Sequence, residues 1–231
     1  MVKKIAVIPA RGGSKGIPNK NIIDVCGKPL IYYTIKRAFE SNEFEKIVVS
    51  SDCDLILETS LKINRSITPH KRSSKLASDT AKSIDVIIDV LDNYSDFNFV
   101  SMLEPTSPLR TKDFIKSAHD NLINNSNAES LVGVSKVEDQ HPSFLCVKDE
   151  FDLISPVSGS NKNIRRQDLK EDYFFYEGSI YSSYVDSLRK NMNFYHKKTI
   201  GFEVNKLGSF EVDDKEDLTI VRQLIPIFFK I

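Results

Sequence analysis

Short apolar runs alternate with segments of helical period along most of this 231-residue chain. Ile5-Ala6-Val7-Ile8 reads as a buried strand, and residues 46–50 and 97–103 repeat the pattern. Between them, residues 30–41 place Ile31, Ile35, Ala38 and Phe39 at helical spacing, and residues 54–64 read as a second helix. Asp79-Thr80 is expected to cap a third, with Ile84, Ile87, Ile88 and Leu91 at i, i+3, i+4 and i+7. A helix over 112–124 and a strand over 130–137 follow. Residues 173–183 and 199–204 read as further strands, and 214–224 as a closing helix. The rhythm predicts an α/β fold, with a doubly wound, mainly parallel sheet covered by helices on both faces. It breaks over 138–172, where a small insertion in one domain spanning 1–231 is expected.

Bulk properties exclude several classes. Lys plus Arg equals Asp plus Glu, at 32 each, so net charge points to neither nucleic acid nor an anionic membrane as a partner. The apolar run near the N-terminus breaks at Pro9 and is too short to span a bilayer. Cys26, Cys53 and Cys146 make no CxxC pair and the four histidines no HxxH pattern, which argues against zinc. The cysteines are expected to be small buried apolar side chains. Their odd number and the lack of a secretory leader fit a reduced cytoplasm.

The chemistry starts where the first strand ends. Residues 10–20 hold Gly12, Gly13 and Gly16 together with Arg11, Lys15 and Lys20. Glycines let backbone amides approach a ligand, and amides beside cations attract a multiply charged anion, so this loop reads as a nucleotide-phosphate site. It is neither a GxxxxGK[ST] loop nor a GxGxxG loop. Parallel strands would bring Ser50-Ser51-Asp52 and Glu104-Pro105-Thr106-Ser107 to the same rim. Glu211 and Asp213, at i and i+2, would share one face of an extended segment and suit Mg²⁺ beside a phosphate. A helix-capping role for Asp213 or Asp214 is equally open. Arg165-Arg166 is either a solvated pair or a carboxylate clamp.

Together these segments resemble the acylneuraminate cytidylyltransferases, also called CMP-sialic acid synthetases. The matching strings are Pro9-Ala10-Arg11-Gly12-Gly13-Ser14-Lys15-Gly16 with Lys20-Asn21, and Arg72 with Leu76-Ala77-Ser78-Asp79-Thr80. Pro105-Thr106-Ser107-Pro108-Leu109-Arg110, His141-Pro142, Arg166-Gln167, Gly178-Ser179-Ile180-Tyr181 and the acids around Asp213 follow in the same order. The resemblance implies a Rossmann-like nucleotidyltransferase of the nucleotide-diphospho-sugar transferase type. It implies a reaction in which CMP passes from CTP to the anomeric hydroxyl of a nonulosonic acid and pyrophosphate leaves. Ala10, Arg11, Gly12, Gly13, Ser14 and Lys15 would hold the triphosphate, with Asn21 positioning the nucleotide and Arg72, Ala77 and Ser78 facing the base. Arg11, Lys20 and Asp213 would carry catalysis. Glu211 and Asp213 would hold Mg²⁺, and Glu104, Arg166, Gln167, Glu177 and Tyr181 would border the sugar. A homodimer, with the insertion over 138–172 reaching over the partner, is also implied.

Three positions depart from that pattern. The family commonly has Gln, Asn and Asp where this chain has Glu104, Glu177 and Glu211. A carboxylate in place of an amide removes donors and adds charge. The expected substrate is therefore a related nonulosonate, of legionaminic or pseudaminic type, rather than plain N-acetylneuraminate. Alternatives are a 3-deoxy-manno-octulosonate cytidylyltransferase, against which residues 105–110 and Arg166-Gln167 speak, and a non-catalytic nucleotide-binding module.

Overall fold

Alternation within the first strand decides the layering. In β1 (Lys4–Pro9), Ala6 and Ile8 enter one apolar layer and Ile5 and Val7 the other, all four fully buried. A strand covered on both faces belongs inside a sheet. The computed structural model describes residues 2–14, 16–137, 140–157, 165–169 and 171–230, without the side chain of Arg166. The other strands are β2 (Asp24–Val25), β3 (Lys28–Pro29), β4 (Lys46–Ser51), β5 (Thr68–Lys71) and β6 (Phe99–Met102). They continue with β7 (Ser130–Lys136), β8 (Cys146–Lys148), β9 (Ile154–Pro156), β10 (Phe174–Tyr184) and β11 (Thr199–Glu203). The α-helices are α1 (Leu30–Ser41), α2 (Asp54–Ile63), α3 (Ser83–Leu91), α4 (Lys112–Asn124), α5 (Val185–Asn191) and α6 (Lys215–Phe229).

The main sheet runs β11-β7-β10-β6-β1-β4-β5. Its strands are parallel except β10, which is antiparallel to both β6 and β7. Helices α1, α2 and α4 pack on one face, and α3 and α5 on the other. The expected mainly parallel, two-faced architecture is therefore present. Helix α6 builds a third cluster, in which Leu218, Val221 and Ile225 meet Val25, Tyr33, Leu109 and Val212. That cluster buries Val212 and so pins the acidic segment 211–213 to the sheet rim, where the Val212 N–H donates to the Thr106 carbonyl at 2.8 Å.

Several local expectations are corrected. Helix α3 starts at Ser83, not at Asp79-Thr80, and no side chain caps it. Asp79 instead pairs with Arg11 at 2.7 Å. Strand β5, with Pro69 and His70, has no apolar run, and Pro is tolerated because the strand lies at the sheet edge. Helix α5 was not anticipated, and α6 continues past residue 224 with Pro226 inside it. Cys26 and Cys146 are exposed and Cys53 is half-buried, so these side chains do not fill the core. Cys26 and Gly27 form a two-residue turn between β2 and β3 with both φ positive (52° and 77°), a geometry found at surface hairpins. Within 138–172 the described residues form the β8–β9 hairpin and two short 3₁₀ turns; Glu138, Asp139, 158–164 and Lys170 lie outside the described residues.

One buried polar chain crosses the sheet. Ser182 Oγ meets Ser101 Oγ at 2.7 Å, Ser101 Oγ meets His119 Nε2 at 2.9 Å, and His119 Nδ1 meets Glu43 at 3.0 Å. Lys4 donates to the same Glu43 oxygen at 2.5 Å. Burial lowers the His119 pKa, so a neutral ring donates from Nδ1 and accepts at Nε2. The hydrogen bond from His119, then that from Lys4, lowers the Glu43 pKa from 4.5 to about 2. A depressed carboxylate stabilises the fold fully above its unfolded value and loses that contribution as pH falls through the folded one. Glu43→Gln is expected to cost about 1–2 kcal/mol at neutral pH, at a site partly open to solvent. Urea titrations should show wild type and variant converging between pH 4.5 and about 2; a gap that stays constant across that window would contradict the assignment.

Candidate active site

The loop after β1 is held by its neighbours at the carboxyl rim. The Ala10 N–H donates to the Ser50 carbonyl at 2.9 Å, and the Gly12 N–H to Asp52 Oδ1 at 3.0 Å. A Cβ on Gly12 would lie 2.9 Å from Cys53 Cβ, so the backbone can press against the start of α2 only without a side chain. Asn21 is buried on a 3₁₀ turn (Lys20–Ile22) and donates to the Arg11 carbonyl at 2.9 Å. It orders the loop from behind.

The acidic segment closes on the same loop. A Cβ on Gly16 would lie 2.6 Å from the Asp213 carbonyl oxygen. Lys20 Nζ donates to the Val212 carbonyl at 2.9 Å and to Asp213 Oδ1 at 3.0 Å. Asp214, with Asp217, forms the capping box of α6. The choice between the two acids is thereby resolved: Asp214 caps the helix, and Asp213 turns to Lys20.

These groups border a cavity of about 540 Å³ lined by Arg11, Ser14, Lys20, Asn21, Arg72, Ser78, Glu104, Glu211 and Asp213. Ala10, Gly12, Gly13 and Ala77 belong to the surrounding loops but do not face it. Lys15 lies outside the described residues. Arg72 is buried, its pKa lowered by burial, with Asp52 3.9 Å away and Nε without a hydrogen-bond partner among the described residues. A second cavity of about 380 Å³ shares Glu211 and Asp213 and adds Tyr176, Glu177, Gly178 and Tyr181.

A β-bulge builds the junction between the two cavities. Along the β10–β7 pairing, Tyr176 faces Val134 and Tyr181 faces Val132, so residues 177–180 stand against Gly133 alone. The space that Gly133 leaves is filled by the Glu177 carboxylate, which accepts from Ser179 N–H at 2.9 Å and from Ser179 Oγ. Glu177 is thus buried and tied to its own bulge, with burial raising its pKa to about 7. Gly178 N–H donates to Glu211 Oε1. A Cβ on Gly178 would lie 2.7 Å from Glu104 Oε2 and 2.8 Å from Glu211 Oε1, so the two carboxylates converge over this glycine. Burial, then Glu211, raises the Glu104 pKa to about 7; burial also raises that of Glu211.

Behind the carboxylates sits Arg110, which was legible only as part of a family string. It is buried and donates from Nε to the Ser179 carbonyl, from an amino group to Thr34 Oγ1 at 3.2 Å and from the other to the Glu104 carbonyl at 3.1 Å. No periodicity marks it; its position one residue after buried Leu109, at the end of the proline-fixed turn, is the available signal. Gln167 is exposed on a short turn (Arg166–Asp168) and lines neither cavity, while Arg165 pairs with Asp168 at 2.6 Å. Among the described residues no group of three or more His, Cys, Asp or Glu side chains is arranged to hold a metal ion, and no helix is long and apolar enough to cross a membrane.

Comparison with known proteins shows the family and the fold. The cytidylyltransferase family model matches residues 5–224. An N-acylneuraminate cytidylyltransferase of Streptococcus agalactiae is 37% identical over 94% of this chain, which spans 52% of that protein. The chain thus covers about half the length of that relative. A CMP-N,N'-diacetyllegionaminic acid synthase of Legionella pneumophila is 31% identical, with 96% of each protein covered. Among solved structures, a CMP:2-keto-3-deoxy-manno-octonic acid synthetase complexed with CTP superposes with a TM-score of 0.71, covering 97% of this chain and 99% of that one at 18% identity. That likeness establishes a shared fold.

The contact at Gly16 makes a sharp prediction about stability. Because a backbone carbonyl cannot swing aside as a side chain can, Gly16→Ala is expected to cost about 1–3 kcal/mol in chemical denaturation. A wild-type midpoint would show that the loop and the acidic segment are not packed together.

Proposed function

The chain belongs to the cytidylyltransferase family, and on that premise we propose that it transfers CMP from CTP to the anomeric hydroxyl of a nonulosonic acid, releasing pyrophosphate. The observation that carries this reading is the convergence of the glycine loop, Lys20 and Asp213 on one cavity that Arg72 also lines. In this scheme the sugar oxygen attacks the α-phosphorus as the bond to the β-phosphate breaks. Such a reaction needs alignment and charge neutralisation more than covalent help. Arg11, Ser14, Lys15 and loop amides would grip the triphosphate. Lys20 would neutralise charge at the α-phosphate, and Arg72 beside Ser78 would meet the base. Asn21 contributes through the loop it orders.

The donor set suits Mg²⁺. Glu211 and Asp213 are hard oxygen ligands on one rim, and their mutual repulsion adds to the upward pressure on the Glu211 pKa. Two carboxylates completed by substrate phosphates and water are a usual Mg²⁺ site. When bound there the ion would offset phosphate charge and polarise the attacking hydroxyl. Lys20, released from Asp213, would then turn to phosphate.

The acceptor is a nonulosonate, and the legionaminic or pseudaminic type is favoured by Glu104 and Glu177, where the family commonly has amides. Tyr181 would line its pocket and Arg166 would face the sugar carboxylate, while Gln167 stands outside both cavities. That insertion and β10 expose Phe151, Leu153, Ile154, Phe174, Phe175 and Tyr176, an apolar surface suited to a second copy in a homodimer. The working compartment is the cytoplasm, where CTP is made.

A pyrophosphate-release assay over nonulosonates and the four nucleoside triphosphates tests the proposal. Turnover is expected with CTP alone among the nucleotides. CTP binding with no pyrophosphate from any acceptor would favour a non-catalytic module. Arg11→Ala and Lys20→Ala should each slow turnover on the order of 10²-fold, as removal of a preorganised charge stabiliser does; near-normal rates in both would refute the loop assignment. Asp213→Ala should move the Mg²⁺ activation curve to higher concentration, and an unchanged curve would place the ion elsewhere.

A further inference from the structure

Three neighbouring strands reach the nucleotide cavity in the order β1, β4, β5, with β4 in the middle. The loop after β1 carries the glycines and cations, and Arg72 directly follows β5. Between them, Ser51-Asp52-Cys53 at the end of β4 is not part of the cavity lining.

The end of β4 nevertheless bonds to both sides. The Ser50 carbonyl accepts from Ala10 N–H at 2.9 Å, and the Ser51 carbonyl accepts from Arg72 N–H at 3.0 Å. The pairing of β4 with β5 runs to Ser51 and Lys71, so Asp52 and Arg72 are the next residues on each strand. Asp52 Oδ1 accepts from Gly12 N–H at 3.0 Å, and the same oxygen lies 3.9 Å from an Arg72 amino nitrogen. One carboxylate oxygen thus meets an amide of the phosphate loop and the cation of the base wall.

Charge gives this placement its consequence. The Arg72 side chain is only 4% exposed, and a buried cation needs a negative neighbour. Asp52 provides one, while Arg11 repels Arg72 from the loop side. Without the Asp52 charge, Arg72 would face Arg11 uncompensated, and its guanidinium would gain by leaving the wall for water.

We propose that Asp52 is a positioning residue that joins the base wall to the phosphate loop: it holds Arg72 at the cavity beside the Gly12 amide, so that the grip on the nucleoside end of CTP depends on a side chain that touches no substrate. This rests on the cytidylyltransferase reading and adds a residue to it.

Equilibrium binding of CTP and of tripolyphosphate, both with Mg²⁺, tests the assignment, because tripolyphosphate presents the phosphates without the base. Asp52→Asn removes the charge and keeps an oxygen for the Gly12 amide. The Kd of CTP should rise roughly three- to tenfold, between what an exposed and a buried ion pair lose when one partner is removed. The Kd of tripolyphosphate should stay within about twofold, since the loop amide keeps its acceptor. In an Arg72→Gln background, Asp52→Asn should change the Kd of CTP by less than about twofold, because its partner is already gone. Equal weakening of both ligands would make Asp52 a support of the loop alone, and unchanged or tighter CTP binding would make it only a charge near the phosphates. Either result overturns the inference, as does a full effect without Arg72. Should Asp52→Asn fail to fold, Asp52→Glu decides by the same titrations: CTP must weaken more than tripolyphosphate, and any other pattern overturns the inference. These outcomes leave the cytidylyltransferase reading intact. A wild type that holds UTP as tightly as CTP overturns both.

Discussion

A sealed guanidinium holds this site together. Arg110 has no carboxylate in direct contact among the described residues; its donors end on Ser179, Thr34 and the Glu104 backbone. These belong to β10, to α1 and to the turn after β6, so one side chain fixes the spacing of three elements beneath the cleft. A buried cation is costly unless its surroundings are negative. Burial lowers the Arg110 pKa to about 10, while Glu177, Glu104 and Glu211 act in the opposite direction. Arg110 in turn pulls down on Glu104 and Glu211. The acidic rim and the cation behind it form one electrostatic unit, and removing either leaves the other unbalanced.

Geometry around that unit follows from the sheet. Parallel strands deliver the loops after β1, β4 and β6 to one edge, as in other open α/β sheets. The reversed strand β10 enters the same edge from the opposite direction, and its bulge spreads residues 177–180 over Gly133. Phosphate-type groups are thereby gathered on one side of Glu211 and Asp213, and aromatic and acidic groups on the other. The pair of acids is where two cavities of different chemistry meet, as the proposed transfer between two unlike substrates would need.

Much of this was legible in the residues. The apolar periods located α1, α2 and α4 nearly to the residue, because amphipathic helices on a sheet carry a strong repeat. The loop of glycines and cations, Asp52, Arg72 and the acids at 211 and 213 all reached one rim. What periodicity missed has local causes. Strand β5 is short, polar and at an edge, so no apolar run announces it. Asp79 looks like a helix cap, yet Arg11 claims it from 68 residues away. The bulge in β10 is invisible because a register shift leaves no mark on composition, and with it went the inward turn of Glu177. Arg110 looked like any arginine after a turn; only its three partners reveal its position.

The central claim is that one cleft joins a triphosphate grip to an acidic metal rim and an acceptor pocket. A crystal structure with CTP and Mg²⁺ tests it most directly. The account predicts the triphosphate on the loop from Arg11 to Lys20, the base against Arg72, and the ion between Glu211, Asp213 and a phosphate. A nucleotide bound away from that loop, or an ion held without either carboxylate, would contradict it.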